Sequence, residues 1–160
     1  MCGISGIFNP STKKINQIET INKILKLQKS RGPDNTGVWT SSCGKVTFGH
    51  NRLSIIDLTN NSNQPFVSID KRIVITFNGE IYNFLEIREQ LLKKKIKFKS
   101  NSDTEVIIEA YRYWGLEFVN YFRGMYSFVI WDVLKDELIL ARDPFGIKPL
   151  YYTYQNNIFY

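Results

Sequence analysis

The sequence has 160 residues, of which 43% are hydrophobic and 22% charged, and these fractions exclude an intrinsically disordered chain and a coiled coil. No apolar run exceeds four residues, which is too short to span a membrane, and residues 1–20 lack the apolar segment of a secretory signal, so a cytoplasmic location is expected. The net charge of +6 would suit a nucleic-acid-binding protein, but five lysines cluster in residues 93–99 without any nucleic-acid-binding motif. We therefore expect one domain that binds neither nucleic acid nor membrane.

The first half of the chain predicts strands and a helix in mixed order. Residues 2–8 (CGISGIF) interleave small residues with isoleucines, which is typical of a buried strand. Apolar residues at three- and four-residue steps predict a helix over 14–29, and the RGPD sequence at 31–34 ends it because glycine and proline favour a turn. β-Branched and aromatic residues then predict strands over 46–57 and 73–77.

The second half adds two helices and further strands. The helices are predicted over 83–95 and 103–114, with Asp103 as the N-cap of the second. The strands are predicted over 125–133, 137–141 and 150–154. Asn156-Asn157 predicts a hairpin turn and 158–160 the start of another strand, so we expect the domain to be truncated at its C-terminus. Because strands and helices do not alternate as in a parallel sheet, we expect an α+β fold with largely antiparallel sheets.

Chemistry through sulfur is restricted to two thiols, Cys2 and Cys43, and His50 is the one histidine. This set is too small for a zinc site of the usual spacing, so no metal is expected, and Cys43 is interpreted as incidental. Removal of Met1 would place a thiol and a basic α-amine on one carbon at Cys2, with reference pKa values of about 8.5 and about 7.7–8.0. Such an amine can accept the thiol proton in place of a histidine. The alternatives are a structural cysteine and a papain-like pair of Cys2 with His50.

Six motifs follow one another along the chain: MCGISGIF, RGPD, GHNRLSIIDL, NGEIYN, SDTEV and RDPFGIKPLYY. Together they resemble the glutaminase domain of the class II glutamine amidotransferases, and within that class the asparagine synthetases most closely. The resemblance runs from Cys2 to Tyr160 and implies a type-2 glutamine amidotransferase domain over 2–160. The implied structure is the N-terminal nucleophile hydrolase fold, a four-layer αββα sandwich of two largely antiparallel sheets.

The resemblance also implies a reaction. Cys2 would attack the side-chain amide of glutamine and form a thioester while ammonia leaves. Asn78 and Gly79 would provide the oxyanion hole through a side-chain amide and a backbone N–H. In isolation an Asn-Gly pair predicts a hairpin turn, but here a predicted helix follows the pair rather than a returning strand.

A second set of residues is implied in the recognition of glutamine. Arg52 would bind the α-carboxylate through its planar guanidinium, and a surface salt bridge with Asp57 or a neighbour is the alternative. The Asp103 carboxylate would accept hydrogen bonds from the α-ammonium, with Glu80 beside it. The other residues that the resemblance implies in the site are Leu53, Ser54, Ile55 and Ile56.

The sequence departs from the family pattern in two ways. Ser30 stands before RGPD, where the family often has histidine, and the Ser/Gly-rich ATP-pyrophosphatase loop of the family's C-terminal half is absent. We therefore expect no cofactor in this domain. ATP and magnesium are expected only in a synthetase domain, which is joined to this domain or separate from it. That domain would receive the ammonia and use it for asparagine synthesis from aspartate. Glutamine is the expected substrate, and a homodimer is left open. The alternatives are an amidotransferase that supplies a sugar or another acceptor, and a non-catalytic regulatory module on the same fold.

Overall fold

The computed structural model describes residues 1–11 and 15–160. The strands are β1 (Gly3–Phe8), β2 (Asn35–Thr40), β3 (Val46–Arg52), β4 (Phe66–Val67), β5 (Ile73–Ile81), β6 (Gly124–Asp132), β7 (Glu137–Arg142), β8 (Tyr154–Gln155) and β9 (Ile158–Phe159). The helices are α1 (Gln17–Leu27), α2 (Phe84–Lys93) and α3 (Asp103–Trp114). Within the described ranges, no helix is long and apolar enough to cross a membrane.

The strands form two sheets that lie face to face. One sheet has the order β2-β3-β1-β9-β8 and the other the order β4-β5-β6-β7, and their neighbouring strands are antiparallel. Helix α1 packs on the first sheet, and α3 packs on the second with α2 beside it. The layers are therefore helix, sheet, sheet and helix, which confirms the predicted α+β fold and its αββα sandwich of antiparallel sheets.

Among the described residues, three apolar cores separate these layers. Side chains alternate across β1, so Ile7 packs against Ile21 and Leu25 of α1. The side chain of the next residue, Phe8, points into the space between the sheets and packs against Trp131, with ring centroids 5.9 Å apart. The third core lies between the second sheet and helices α2 and α3, and it includes Ile75, Phe77, Ile87, Leu91, Ile107, Tyr111 and Phe128.

Several predicted elements differ from the observed ones. The helix predicted over 14–29 is observed as α1, and residue 14 itself lies outside the described residues. The strand predicted over 150–154 is wrong, because only Tyr154 belongs to a strand there. Strands β2 and β4 were not predicted. The predicted hairpin turn at Asn156-Asn157 is confirmed, and both residues have the positive φ angles, 54° and 62°, that a two-residue hairpin requires.

The start of α3 also corrects a prediction. Asp103 is not the N-cap: Ser102 is, and its hydroxyl accepts a hydrogen bond from the Glu105 N–H at 3.3 Å. Asp103 is the first helical residue, and its Oδ2 accepts the Ile81 N–H of β5 at 3.1 Å. The carboxylate therefore joins α3 to the second sheet.

Strand β5 runs further than predicted and contains the Asn-Gly pair. Asn78 and Gly79 pair with Ser127 and Tyr126 of β6, which excludes a hairpin turn at this position. A Cβ at Gly79 would lie 2.3 Å from the Met125 carbonyl oxygen. Because that neighbour is backbone, only glycine allows the two strands to approach as they do.

Candidate active site

A cavity of about 110 Å³ opens where the first residues meet the end of β3, the end of β5 and the start of α3. Nine of the ten predicted site residues line it, and Ser54 does not. The nine are Cys2, Arg52, Leu53, Ile55, Ile56, Asn78, Gly79, Glu80 and Asp103. The fold thus brings these residues together from four separate parts of the sequence.

Cys2 is half-buried in the cavity wall, directly before β1. The Leu53 N–H donates to Cys2 Sγ at 3.4 Å, and Sγ lies 3.7 Å from the Leu53 carbonyl oxygen. Burial raises the pKa of the Cys2 thiol above its ordinary value, while the Leu53 N–H and the positive charges of the chain terminus and Arg52 oppose the rise. A thiol in this environment needs a neighbouring base before it can react as a thiolate.

The RGPD motif holds both Cys2 and the loop after β3. Arg31 Nε donates to the Cys2 carbonyl oxygen at 3.1 Å, and Asp34 Oδ2 accepts the Ser54 N–H at 2.7 Å. A Cβ at Gly32 would lie 2.2 Å from a backbone oxygen of β3, so glycine is needed for this close approach. The motif is not among the predicted site residues, and these contacts show that it positions Cys2 and the loop.

Arg52 is buried at the end of β3, and its guanidinium binds the loop that follows. Nη1 donates to the Thr59 carbonyl oxygen and to Asn63 Oδ1, both at 2.9 Å. Nη2 donates to the carbonyl oxygens of Ile56, at 3.4 Å, and Asp57. The predicted alternative of a salt bridge with Asp57 is wrong, because the contact is with the backbone and the carboxylate accepts other donors.

Asp103 brings a buried carboxyl group to the same cavity and is 5% exposed. Burial raises the pKa of Asp103 to about 6, and the negative charge of Glu80 adds to the rise, whereas the N–H groups of Ile81 and Thr104 favour the ionised form. The carboxyl group is therefore ionised at neutral pH and protonated in mild acid. With Arg52, it gives one small cavity a positive and a negative group.

His50 is fully buried in β3 and lies between the two sheets. Its Nε2 is 3.1 Å from the Phe77 carbonyl oxygen of β5, and its described contacts do not include Cys2, so the geometry does not support a papain-like pair. Burial lowers the pKa of His50 to about 4, which leaves the ring neutral at pH 7. Ser30 is exposed. Among the described residues, no three His, Cys, Asp or Glu side chains are grouped closely enough to hold a metal ion.

Several residues of the cavity are not among the predicted site residues. Gln64 Oε1 accepts the Phe77 N–H at 2.7 Å and its Nε2 donates to Thr104 Oγ1 at 3.3 Å, so it ties β5 to α3 beside Asn78. No local pattern indicates this role for Gln64. Lys148 also lines the cavity, and its position in the RDPFGIKPLYY motif was the available signal. The other missed lining residues are Met1, Ser62, Phe77, Ser102, Thr104 and Met125.

A second cavity of about 270 Å³ begins at the same nucleophile candidate. It shares Cys2 and Asn78 with the first cavity and continues along the space beside β1 and β7. Most of its lining is apolar and includes Ile4, Phe8, Phe48, Val129, Leu138, Leu140 and Leu150. A small uncharged molecule released at Cys2 therefore has a mainly apolar, partly open space next to it.

Comparison with known proteins shows where the chain belongs. Residues 1–160 match the sequence profile of a glutamine amidotransferase domain. Glutamine-hydrolyzing asparagine synthetase 1 of Bacillus subtilis is 44% identical over 100% of this chain and 25% of its own length. Glutamine-hydrolyzing asparagine synthetase 2 of the same organism is 41% identical over 96% of this chain and 20% of its own length. Amidase chry2 of Gibberella zeae is 40% identical over 98% of the chain and 25% of its own length. The chain spans a quarter or less of these relatives, and it belongs to the glutamine amidotransferase domain family.

Proposed function

We propose that residues 2–160 form a glutamine amidotransferase domain that hydrolyses glutamine to glutamate and ammonia through a Cys2 thioester. The observation that carries the proposal is one cavity lined by the Cys2 thiol, the Arg52 cation and the buried Asp103 carboxylate. Free glutamine has a carboxylate, an ammonium and an amide on one short skeleton. Arg52 and Asp103 carry charges opposite to those of its carboxylate and its ammonium, and the thiol is the nucleophile for its amide.

The proposed reaction begins when removal of Met1 frees the Cys2 α-amine. This amine takes the thiol proton, and Sγ attacks the side-chain amide carbon of glutamine while the Asn78 amide and the Gly79 N–H bind the developing oxyanion. The carbon–nitrogen bond then breaks, and the leaving nitrogen takes the proton from the α-ammonium to depart as ammonia. Water, deprotonated by the same amine, cleaves the thioester and releases glutamate and the Cys2 thiol.

The pH dependence of glutamine binding tests the role of Asp103. Only the ionised carboxylate attracts the substrate ammonium, and a pKa of about 6 means that binding weakens as the pH falls through 6. We expect KM for glutamine to rise about tenfold between pH 7.5 and pH 5. In Asp103→Asn, KM is expected to be about 10²-fold higher at pH 7.5 and independent of pH over this range.

Glu109 provides the matched control for this experiment. It is also a buried carboxyl group of α3, and burial raises the pKa of Glu109 to about 7, but it does not line the cavity and instead contacts Arg112 at 3.3 Å. Glu109→Gln is expected to keep the wild-type pH profile of KM. An Asp103→Asn variant that keeps that profile would contradict the assignment.

The fate of the ammonia is proposed from the second cavity and from the relatives. An apolar space beside Cys2 gives uncharged ammonia a route that a water-filled site lacks, which favours transfer over simple release. Relatives at 44% and 41% identity are named asparagine synthetases. We infer that the acceptor is aspartate, activated with ATP by a synthetase domain that is joined to this domain or separate from it.

Labelling with an electrophilic glutamine analogue, such as a diazoketone, tests the function directly. We expect one adduct on Cys2, found by mass spectrometry of the N-terminal peptide, and expect excess glutamine to prevent it. Cys43→Ala is the matched control, because Cys43 is the other thiol and is exposed, and this variant should be labelled at the wild-type rate. If a preparation that lacks Met1 forms no adduct on Cys2, the domain is a non-catalytic module.

A further inference from the structure

Lys148 is a buried cation in the wall of the candidate site. Lys148 is 4% exposed and lines the same cavity as Cys2. Its ammonium donates to Met1 Sδ at 3.0 Å, across 147 positions of sequence. The charge of Lys148 is therefore next to the residue whose removal creates the amino terminus of Cys2.

The turn that precedes Lys148 is built to hold it there. Asp143 accepts the backbone N–H groups of Ile147 and Lys148 at 2.9 and 3.0 Å. Arg142 donates to the carbonyl oxygens of Gly146 and Lys148 at 2.6 and 2.8 Å, and Gly146 has a positive φ of 65°. The charged residues of RDPFGIK thus bind the backbone of the turn, whereas the lysine side chain is directed into the cavity.

The surroundings of the ammonium make a purely structural role costly. A thioether sulfur is a weak acceptor, and among the described residues it is the hydrogen-bond partner that the structure gives Lys148. Burying an ammonium without a strong partner is unfavourable. The charged groups around the start of the chain are Arg31, Arg52, Glu80 and Asp103, from the turn after α1, from β3, β5 and α3. Lys148 adds a third cation to a site with two carboxylates.

We propose that Lys148 is a positioning residue that keeps the Cys2 α-amine unprotonated, and therefore basic, once Met1 has been removed. Two ammonium groups in one small cavity repel each other, so the charge of Lys148 disfavours the protonated form of the α-amine. This inference rests on the proposed function, in which the same amine accepts the thiol proton.

The test measures the pKa of the α-amine without relying on glutaminase activity. In a Cys2→Ser background, which removes the competing thiol, the rate of amine acetylation by acetic anhydride is followed against pH by mass spectrometry of the N-terminal peptide. Adding Lys148→Met is expected to raise the pKa of the amine by about one unit. Adding Lys148→Arg, which keeps the charge, and Lys94→Met, which removes an exposed lysine outside the cavity, should leave it unchanged.

The same substitutions are then made with Cys2 present. In Lys148→Met, we expect the acidic limb of the kcat/KM profile to move to higher pH by about one unit, with about tenfold lower kcat/KM at pH 7. Thermal unfolding and intact mass check that the variant folds and that Met1 is removed. An amine pKa that stays at its wild-type value in folded Lys148→Met overturns the inference, even if the rate falls. A wild-type protein without glutaminase activity would instead contradict the proposed function, and the acetylation result would still decide the role of Lys148.

Discussion

Replacing Cys2 with alanine is expected to lower kcat/KM for glutamine hydrolysis by at least about 10³-fold, because no other group of the cavity can form the thioester. The fold should be retained, since alanine keeps the backbone contact of this residue: Arg31 binds the carbonyl oxygen, and β1 begins at the next residue. The contacts that alanine loses are those of Sγ with the Leu53 backbone. Ammonia release and the thermal unfolding midpoint are the two measurements. A large loss of activity with an unchanged midpoint is the expected combination.

Two controls make this result specific. Cys43→Ala removes the other thiol, which donates to Ser41 Oγ at 3.4 Å outside the cavity, and should keep wild-type activity. A preparation that retains Met1 should be inactive although Cys2 is intact, because its nitrogen is then part of a peptide bond and cannot act as a base. Full activity in either Cys2→Ala or the Met1-retaining protein would show that another group performs the chemistry.

Local signals in the sequence were sufficient for much of the fold. The range predicted for α3 is the observed range, because its apolar spacing and first-turn acidic residues act within one helix. Strand β2 was missed because its alternating residues include glycine, asparagine and threonine, and it is stabilised by pairing with β3 at the edge of a sheet. The predicted strand at 150–154 has the right composition but lacks a partner strand over most of its length. Whether such a segment forms a strand depends on its pairing partner, which the sequence does not specify.

In the candidate site, too, local motifs predict some residues, and long-range contacts determine the others. Residues within recognised motifs could be predicted, and the fold gathers nine of them around one cavity. Gln64 could not be predicted, because its partners Phe77 and Thr104 lie 13 and 40 positions away. The sequence predicts the N-cap at Asp103 rather than at Ser102, because both residue types are good caps. The contact of Asp103 with Ile81 distinguishes the two residues. Long-range contacts of polar side chains are thus the part that required the structure.

Substitution of Arg52 is expected to separate substrate binding from loop order. Arg52→Lys keeps the charge but loses the planar arrangement of donors, so we expect KM for glutamine to rise about 10²-fold with a smaller change in kcat. Arg52→Ala removes the charge as well, together with every donor that binds the Ile56, Asp57 and Thr59 carbonyl oxygens. This variant should therefore lose at least about 10³-fold in kcat/KM, and its loop should become sensitive to limited proteolysis.

Arg72 is the matched control, because its guanidinium makes a bidentate contact that a lysine cannot reproduce. Its Nε and Nη2 donate to the two carboxylate oxygens of Asp132 at 3.2 and 2.8 Å, outside the cavity. Arg72→Lys should lower the unfolding midpoint and leave KM unchanged, whereas Arg52→Lys should raise KM. If Arg52→Lys instead lowers only stability and binds glutamine as the wild type does, then Arg52 serves the loop alone, and recognition of the α-carboxylate must be assigned to another donor of the cavity.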